Sequence, residues 1–310
     1  MAHRILVTGG DGFVGSHFVE RAVNDGHEVS VLDQFTDGRS KHLRSVEDRV
    51  RLIPHNLDDS DPMTFMDEGF DVVYHFAWNS HPVKAWEHPE IEVQSNLPIL
   101  LHLSRRAAAS GVRKLVFASS GGTVYGTREG LIDECVVPRP FNPYGIGKLT
   151  AEHLLYYVQQ RYGVATDVYR IANAYGPRQD PDRQQGVIAV WMDQVRKGET
   201  LQVFGDDQTL RDYVHVEDIA NLMSHSLRDL RHSDTYNIGT GRGVSVLQLI
   251  DLFKALVDVD IDFNIAARRD LDNASAVLNA QKILSHFPGF AFQTLEASLP
   301  KLWQQESDDG

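Results

Sequence analysis

Three glycines at positions 9, 12 and 15 constrain this chain more than any other feature. They follow a short aliphatic run, Ile5-Leu6-Val7, and open an amphipathic segment that reads as a helix, FVGSHFVERAVN. A strand that ends in glycines and passes directly into a helix is suited to hold a pyrophosphate. Gly9 and Gly12 permit a sharp turn and close approach to the helix N-terminus, and Gly15 lets the helix lie against the strand. A second strand, Val29–Leu32, ends at the acid Asp33, where a ribose 2′-hydroxyl would be held. Arg39 stands six residues beyond Asp33, which makes a 2′-phosphate site less favourable and points to NAD in preference to NADP.

Strand and helix signals keep alternating after that turn. RVRLIPHNLDD predicts a third strand ending near Asn56 and Leu57, and DVVYHFAW a buried fourth one. NLPILLHLSRRAAASG predicts a helix, with Leu97, Leu100 and Leu101 at helical spacing, and KLVFASS predicts a fifth strand. This alternation predicts an α/β fold with a doubly wound parallel sheet. Ligands bind such sheets outside the carboxyl ends of the strands, which is where Asn56, Ala77, Ser119 and Ser120 fall. With 310 residues and 42% of them hydrophobic, the chain can bury a substantial core, and no apolar run approaches the ~20 residues of a membrane span. The formal charge of −13 argues against a nucleic-acid groove, and a single cysteine, Cys135, fits a reducing cytoplasm. The N-terminus runs straight into a strand, so no signal peptide is expected, and the tail QQESDDG reads as frayed. His75, His81 and His88 lack the spacing of metal ligands and are expected to be structural or exposed; no metal site is expected.

Near the middle lies Tyr144-Gly145-Ile146-Gly147-Lys148, leading into LTAEHLLYYVQQRYG. Residues four apart share a helix face, so Tyr144 and Lys148 would project together. An ammonium beside a phenol favours phenolate and would lower the tyrosine from its ordinary value near 10, giving a general base. By itself this spacing also fits a surface tyrosine beside a solvated lysine.

TGGDGFVG, Asp33, HFAW, SSGGTVYG and YGIGK in this order resemble the extended short-chain dehydrogenase/reductase family, above all its NAD-dependent sugar-nucleotide epimerases. The resemblance covers nearly the whole chain. It implies a Rossmann-type NAD domain, about residues 1–170 plus 212–240, and a smaller α/β substrate domain, 171–211 plus 241–310. Gly9, Gly12, Phe13 and Val14 would then cover the pyrophosphate, Asp33 and Gln34 the adenosine ribose, and Asn56 and Leu57 would stand beside the adenine. Phe76, Ala77, Asn96 and Ser119 match positions near the cofactor; Lys148 matches the nicotinamide-ribose ligand and Tyr144 the catalytic acid/base. Ser120 and Thr123 are both candidates for the catalytic hydroxyl. Family dehydratases carry an Asp-Glu pair after the serines and decarboxylases a Glu. Here Gly121-Gly122-Thr123 carries neither, so the resemblance implies 4-epimerisation or 4-keto reduction.

The second half would clamp the nucleotide diphosphate. Asn173, Arg211 and Arg269 match phosphate contacts, Asp272 a uridine-ribose contact, and Val187, Gln202 and Phe204 positions around the base. Arginine suits phosphate because its planar fork makes paired, charge-assisted bonds. Ser245 is a plausible N-cap for structural reasons, and Trp191 and Met192 are expected in the core. The implied activity is that of a cytoplasmic, homodimeric 4-epimerase acting on a nucleotide sugar, UDP-sugars favoured. A nucleotide-sugar 4-ketoreductase and a non-catalytic nucleotide-binding protein are the alternatives.

Overall fold

β1 (Arg4–Thr8) buries Ile5, Leu6 and Val7 completely, and the chain turns at Gly9 into α1 (Phe13–Asn24). Gly9 has φ +70°, and a Cβ there would fall 2.6 Å from the Ala77 backbone nitrogen. A Cβ on Gly15 would fall 2.2 Å from the Gly9 carbonyl, so helix and turn touch through backbone alone. The computed structural model describes residues 1–35, 39–57, 63–183, 185–205, 209–257, 261–267, 269–272 and 275–308.

The strands that follow are β2 (Glu28–Asp33), β3 (Val50–Pro54), β4 (Val72–His75), β5 (Lys114–Ser120), β6 (Leu131–Ile132) and β7 (Ala165–Ile171). After them come β8 (Asn173–Tyr175), β9 (Leu201–Phe204), β10 (Leu210–His215) and β11 (Asp234–Ile238). The chain ends with β12 (Gly243–Ser245), β13 (Phe263–Ala266) and β14 (Ser275–Leu278). Between them lie α2 (Pro82–Glu87), α3 (Leu97–Ala109), α4 (Gly121–Val124), α5 (Pro143–Tyr162) and α6 (Val187–Lys197). The last helices are α7 (Val216–Met223), α8 (Val246–Leu256), α9 (Gln281–Leu284) and α10 (Leu295–Asp308).

The main sheet runs β11-β7-β5-β4-β1-β2-β3, every neighbouring pair parallel. The order reverses between β1 and β4, the switch point at which such sheets open a crevice. One apolar layer packs α1 and α7 on one face around Phe18, Tyr74 and Ile219. Another packs α3 and α5 on the other face around Leu103, Phe117 and Leu155. Helices on both faces make this the doubly wound sheet expected.

A smaller sheet, β12-β10-β14-β6 with β8 beside β10, lies past the carboxyl ends of the large one. β9 and β13 form a separate parallel pair. A third apolar cluster joins them to α6, α8 and α10 and contains Trp191 and Met192, both essentially inaccessible. Ser245 caps α8 in a reciprocal capping box with Gln248.

Two local expectations change. β3 stops at Pro54, before Asn56 and Leu57, because its partner β2 ends at Asp33 opposite Pro54 and leaves no ladder to continue. The tail is helical through Asp308, since Leu295, Leu299 and Leu302 anchor α10 in the third cluster; Asp309 and Gly310 lie outside the described residues.

Candidate active site

A cavity of about 1270 Å³ opens at the carboxyl ends of β1, β2, β4 and β5 and continues toward β9 and β10. It is lined at one end by the Gly9–Val14 turn with Asp33, Gln34, Asn56 and Leu57, and midway by Phe76, Ala77, Asn96, Ser119, Ser120, Thr123, Tyr144 and Lys148. At the far end stand Asn173, Val187, Gln202, Phe204, Arg211, Arg269 and Asp272. Segments from both ends of the chain thus converge on one space.

The glycine end suits a dinucleotide. No side chain caps α1, so its first N–H groups remain available to an anion. Asp33 accepts from Asp11 N at 3.0 Å and from Gln34 N at 2.9 Å, which fixes a carboxylate at the end of β2. Gln34 Nε2 donates to Asn56 Oδ1 at 3.3 Å, closing that rim. Burial raises the Asp33 carboxyl above its ordinary range.

α5 carries the middle of the site. Asn142 caps it by accepting from Gly145 N at 2.7 Å, and Pro143 occupies the first turn. The Asn142 amide also donates to Leu271 O at 3.2 Å, which ties this helix start to the segment bearing Arg269 and Asp272. Lys148 is 4% exposed; its Nζ donates to Ala118 O at 2.9 Å and lies 4.0 Å from the Trp78 ring centroid, 4.7 Å from that of Phe117 and 5.6 Å from that of Tyr144.

The expectation that this ammonium lowers the phenol is corrected by the environment. Burial and the nearby Glu92 carboxylate push Tyr144 well above its ordinary value. Burial also pulls Lys148 down to about 7, against the upward pull of Glu92 and Glu152. In this state the phenol is an acid holding its proton.

The three hydroxyls differ. Ser119 is buried and donates to Glu152, which also holds Arg170 at 2.6 Å, so Ser119 belongs to a packed ionic network. Ser120 sits at the N-cap of α4 with no side-chain cap bond, and Thr123 Oγ1 donates to Ser120 O at 3.5 Å. Both Ser120 and Thr123 face the cavity beside Tyr144.

At the far end Asn173 donates to Asp212 O at 3.0 Å, and Arg211 donates to its neighbour's carbonyl, Leu210 O, at 3.2 Å. Arg269 grips Asp272 through two bonds of 2.8 and 3.1 Å and lies 5.2 Å from the Phe204 ring centroid. Arg269 and Asp272 therefore pair with each other at the rim.

The three histidines take structural or surface places. His75 is buried against Thr8 Oγ1 at 2.7 Å, the His81 side chain caps α2, and His88 pairs with Glu90 on the surface. Among the described residues no three His, Cys, Asp or Glu side chains converge as a metal site would require. Sequence reasoning missed Glu92 and the role of Trp78. Glu92 stands four residues before Asn96, on the same helical face, a spacing visible in the sequence but without meaning until α5 is packed against it.

Residues 5–239 match the family model described as NAD dependent epimerase/dehydratase family. The UDP-glucose 4-epimerase of Mycolicibacterium smegmatis is 34% identical over 250 residues, 79% of this chain and 80% of that protein. A crystal structure of UDP-glucose 4-epimerase from Thermotoga maritima with UDP-glucose superposes with a TM-score of 0.88 at 30% identity, covering 99% of both chains. The Thermus thermophilus UDP-glucose 4-epimerase in complex with NAD gives 0.87 at 31% identity, covering 97% of this chain and 98% of that one.

Proposed function

The chain belongs to the NAD dependent epimerase/dehydratase family, and from that premise we propose that it interconverts the 4-epimers of a nucleotide sugar, UDP-glucose and UDP-galactose first among them. The observation that carries this reading is one continuous cavity with the Tyr144–Lys148 turn at its middle, the glycine turn and Asp33 at one end and Arg211 and Arg269 at the other. It has room for a dinucleotide and a nucleotide sugar laid end to end.

The residues fit NAD. The uncapped start of α1 faces the cavity, Gly9 leaves no space for a side chain, and Asp33 offers carboxylate oxygens at the end of β2. Gly9, Gly12, Phe13 and Val14 would hold the pyrophosphate, Asp33 and Gln34 the adenosine ribose, and Lys148 the nicotinamide ribose. When bound, NAD would supply a reversible hydride acceptor at this point of the cleft.

Tyr144 takes the proton of the sugar 4-hydroxyl and gives it back after the 4-keto sugar has turned over. Its raised affinity for a proton means that the phenol must be lowered by charge brought into the cleft before it can act as base. Ser120 or Thr123 hydrogen-bonds the same sugar oxygen. Asn173, Arg211 and Arg269 hold the diphosphate throughout, so binding energy remote from the reacting carbon retains the intermediate. Gly121, Gly122 and Thr123 supply no extra acid or base for eliminating water.

We assign the enzyme to the cytoplasm and to a homodimer formed through α3 and α5. The surface of α5 carries the exposed rings of Tyr156 and Tyr157, at 62% and 47% exposure. The test is incubation with UDP-glucose, and with dTDP-, GDP- and CDP-sugars in parallel, reading isomerised product and absorbance of reduced cofactor. Epimer without net cofactor reduction supports the proposal. Net reduction of NAD with accumulation of a 4-keto sugar, the reverse of keto reduction, identifies a 4-ketoreductase instead, and NAD binding without turnover on any sugar identifies a binding protein.

A further inference from the structure

Behind the Tyr144–Lys148 turn lies a carboxylate that no part of the preceding mechanism uses. Glu92 is 3% exposed and begins a single π-helical turn, Glu92–Asn96, that leads into α3. Such turns are rare and frequent at functional sites. One Glu92 oxygen accepts from the Ser80 hydroxyl and the other from Asn96 Nδ2 at 3.1 Å. Asn96 is itself held, accepting from Asn79 N at 2.8 Å and donating to Ser80 Oγ at 3.2 Å. The carboxylate is therefore fixed by neutral donors.

Its contact with α5 is close. A Cβ on Gly147 would fall 2.2 Å from Glu92 Oε2, so the carboxylate rests on the helix backbone beside Lys148 and less than one turn from Tyr144. Burying a carboxylate is costly unless its charge is compensated. Lys148 supplies the buried cation on the facing helix, and its Nζ is engaged by the Ala118 carbonyl and two ring faces.

We propose that Glu92 is a positioning residue, a fixed buried anion that sets the charge balance of Tyr144 and Lys148 together. The proposal rests on the reading of those two residues as the catalytic pair. A negative charge on this side favours ammonium at Lys148 and disfavours phenolate at Tyr144. The phenol thus keeps its proton until a positive group, such as an oxidised nicotinamide, lies on the cavity side of the ring. Proton removal becomes conditional on a loaded cleft.

The other groups around the turn leave Glu92 this role. From α5, Glu152 is already paired with Arg170 at 2.6 Å. From β4, His75 is bonded to Thr8 and, with burial first and Lys148 second as causes, is pushed down to about 3, so it is neutral. At α2, Lys84 donates to Asn79 O at 2.8 Å and His81 is depressed by burial and by Lys84.

The test is a titration of Lys148 in the purified full chain carrying lysine labelled with ¹³C at Cε, its resonance assigned by loss in Lys148→Met. Wild type should titrate near the value of about 7 that burial and the two carboxylates set. In Glu92→Gln the midpoint should fall by about one pH unit or more, the shift a unit charge exerts from roughly 12 Å or closer at an effective dielectric of about 20. The pH–rate profile with UDP-glucose should move to lower pH with it. An unchanged or raised midpoint overturns the proposal. Should Glu92→Gln fail to fold, Glu92→Asp withdraws the carboxylate by one methylene and must lower the midpoint by a smaller amount; no change there overturns the proposal equally. If wild type isomerises no nucleotide sugar, the catalytic reading fails, while the lysine titration still decides whether Glu92 governs the pair.

Discussion

Asn142→Ala offers a quantitative test of how the fold holds the site. Asn142 is 1% exposed and makes two bonds: Oδ1 caps α5 through Gly145 N at 2.7 Å, and Nδ2 donates to Leu271 O at 3.2 Å. Losing an N-cap costs about 1 kcal/mol. Stripping a buried carbonyl of its donor costs about 1–3 kcal/mol more. The total is therefore about 3 kcal/mol, which for a chain of this size corresponds to a fall in Tm of roughly 5 °C. Asn142→Ser keeps a capping oxygen but cannot reach Leu271, so it should recover about 1 kcal/mol of the loss. Leu271 stands between Arg269 and Asp272, and both variants should also raise the KM for UDP-glucose more than they lower kcat. Circular dichroism melts and initial rates read both effects. An Asn142→Ala melt that coincides with wild type, or a KM that stays put while kcat collapses, would refute the linkage between the helix cap and the substrate end.

Other perturbations separate the remaining parts. Tyr144→Phe should keep NAD binding and lose about 10²–10⁴-fold in turnover, the range of general acid–base catalysis, measured as kcat beside NAD content. Arg211→Ala should raise the KM for the nucleotide sugar by roughly 10–100-fold, as removal of a charge-assisted bond does, with kcat little changed; an unaltered KM would remove Arg211 from the diphosphate contact. His17, buried under Pro177 O at 3.1 Å, is held down to about 4 by burial first and Arg178 second. Its native state therefore binds fewer protons than the unfolded chain, so its stability contribution is complete above about 6.5 and is lost as pH falls toward 4. The Tm should decline over that interval, and less steeply in His17→Gln.

Much of this architecture was legible without coordinates because it depends on local rules. Glycine at 9 and 15 is dictated by a backbone contact that no other residue permits, and the aliphatic run before it by burial on both faces of a parallel sheet. The four-residue spacing of Tyr144 and Lys148 survives into the structure because both lie in the first turns of a helix that Asn142 and Pro143 start. The unbroken helix at the C-terminus was not legible, since the apolar contacts that hold α10 come from α6, α8 and β9.

What the chain determined by itself is the sheet, the dinucleotide turn and the shared face of Tyr144 and Lys148, since periodicity and turn chemistry are carried within short segments; the residues of the far cleft were named by the family resemblance. Only tertiary packing decided the electrostatics of the centre. Burial and a carboxylate from a π-helical turn far upstream raise a phenol that local spacing alone would have lowered, because desolvation and through-space charge depend on neighbours distant in sequence.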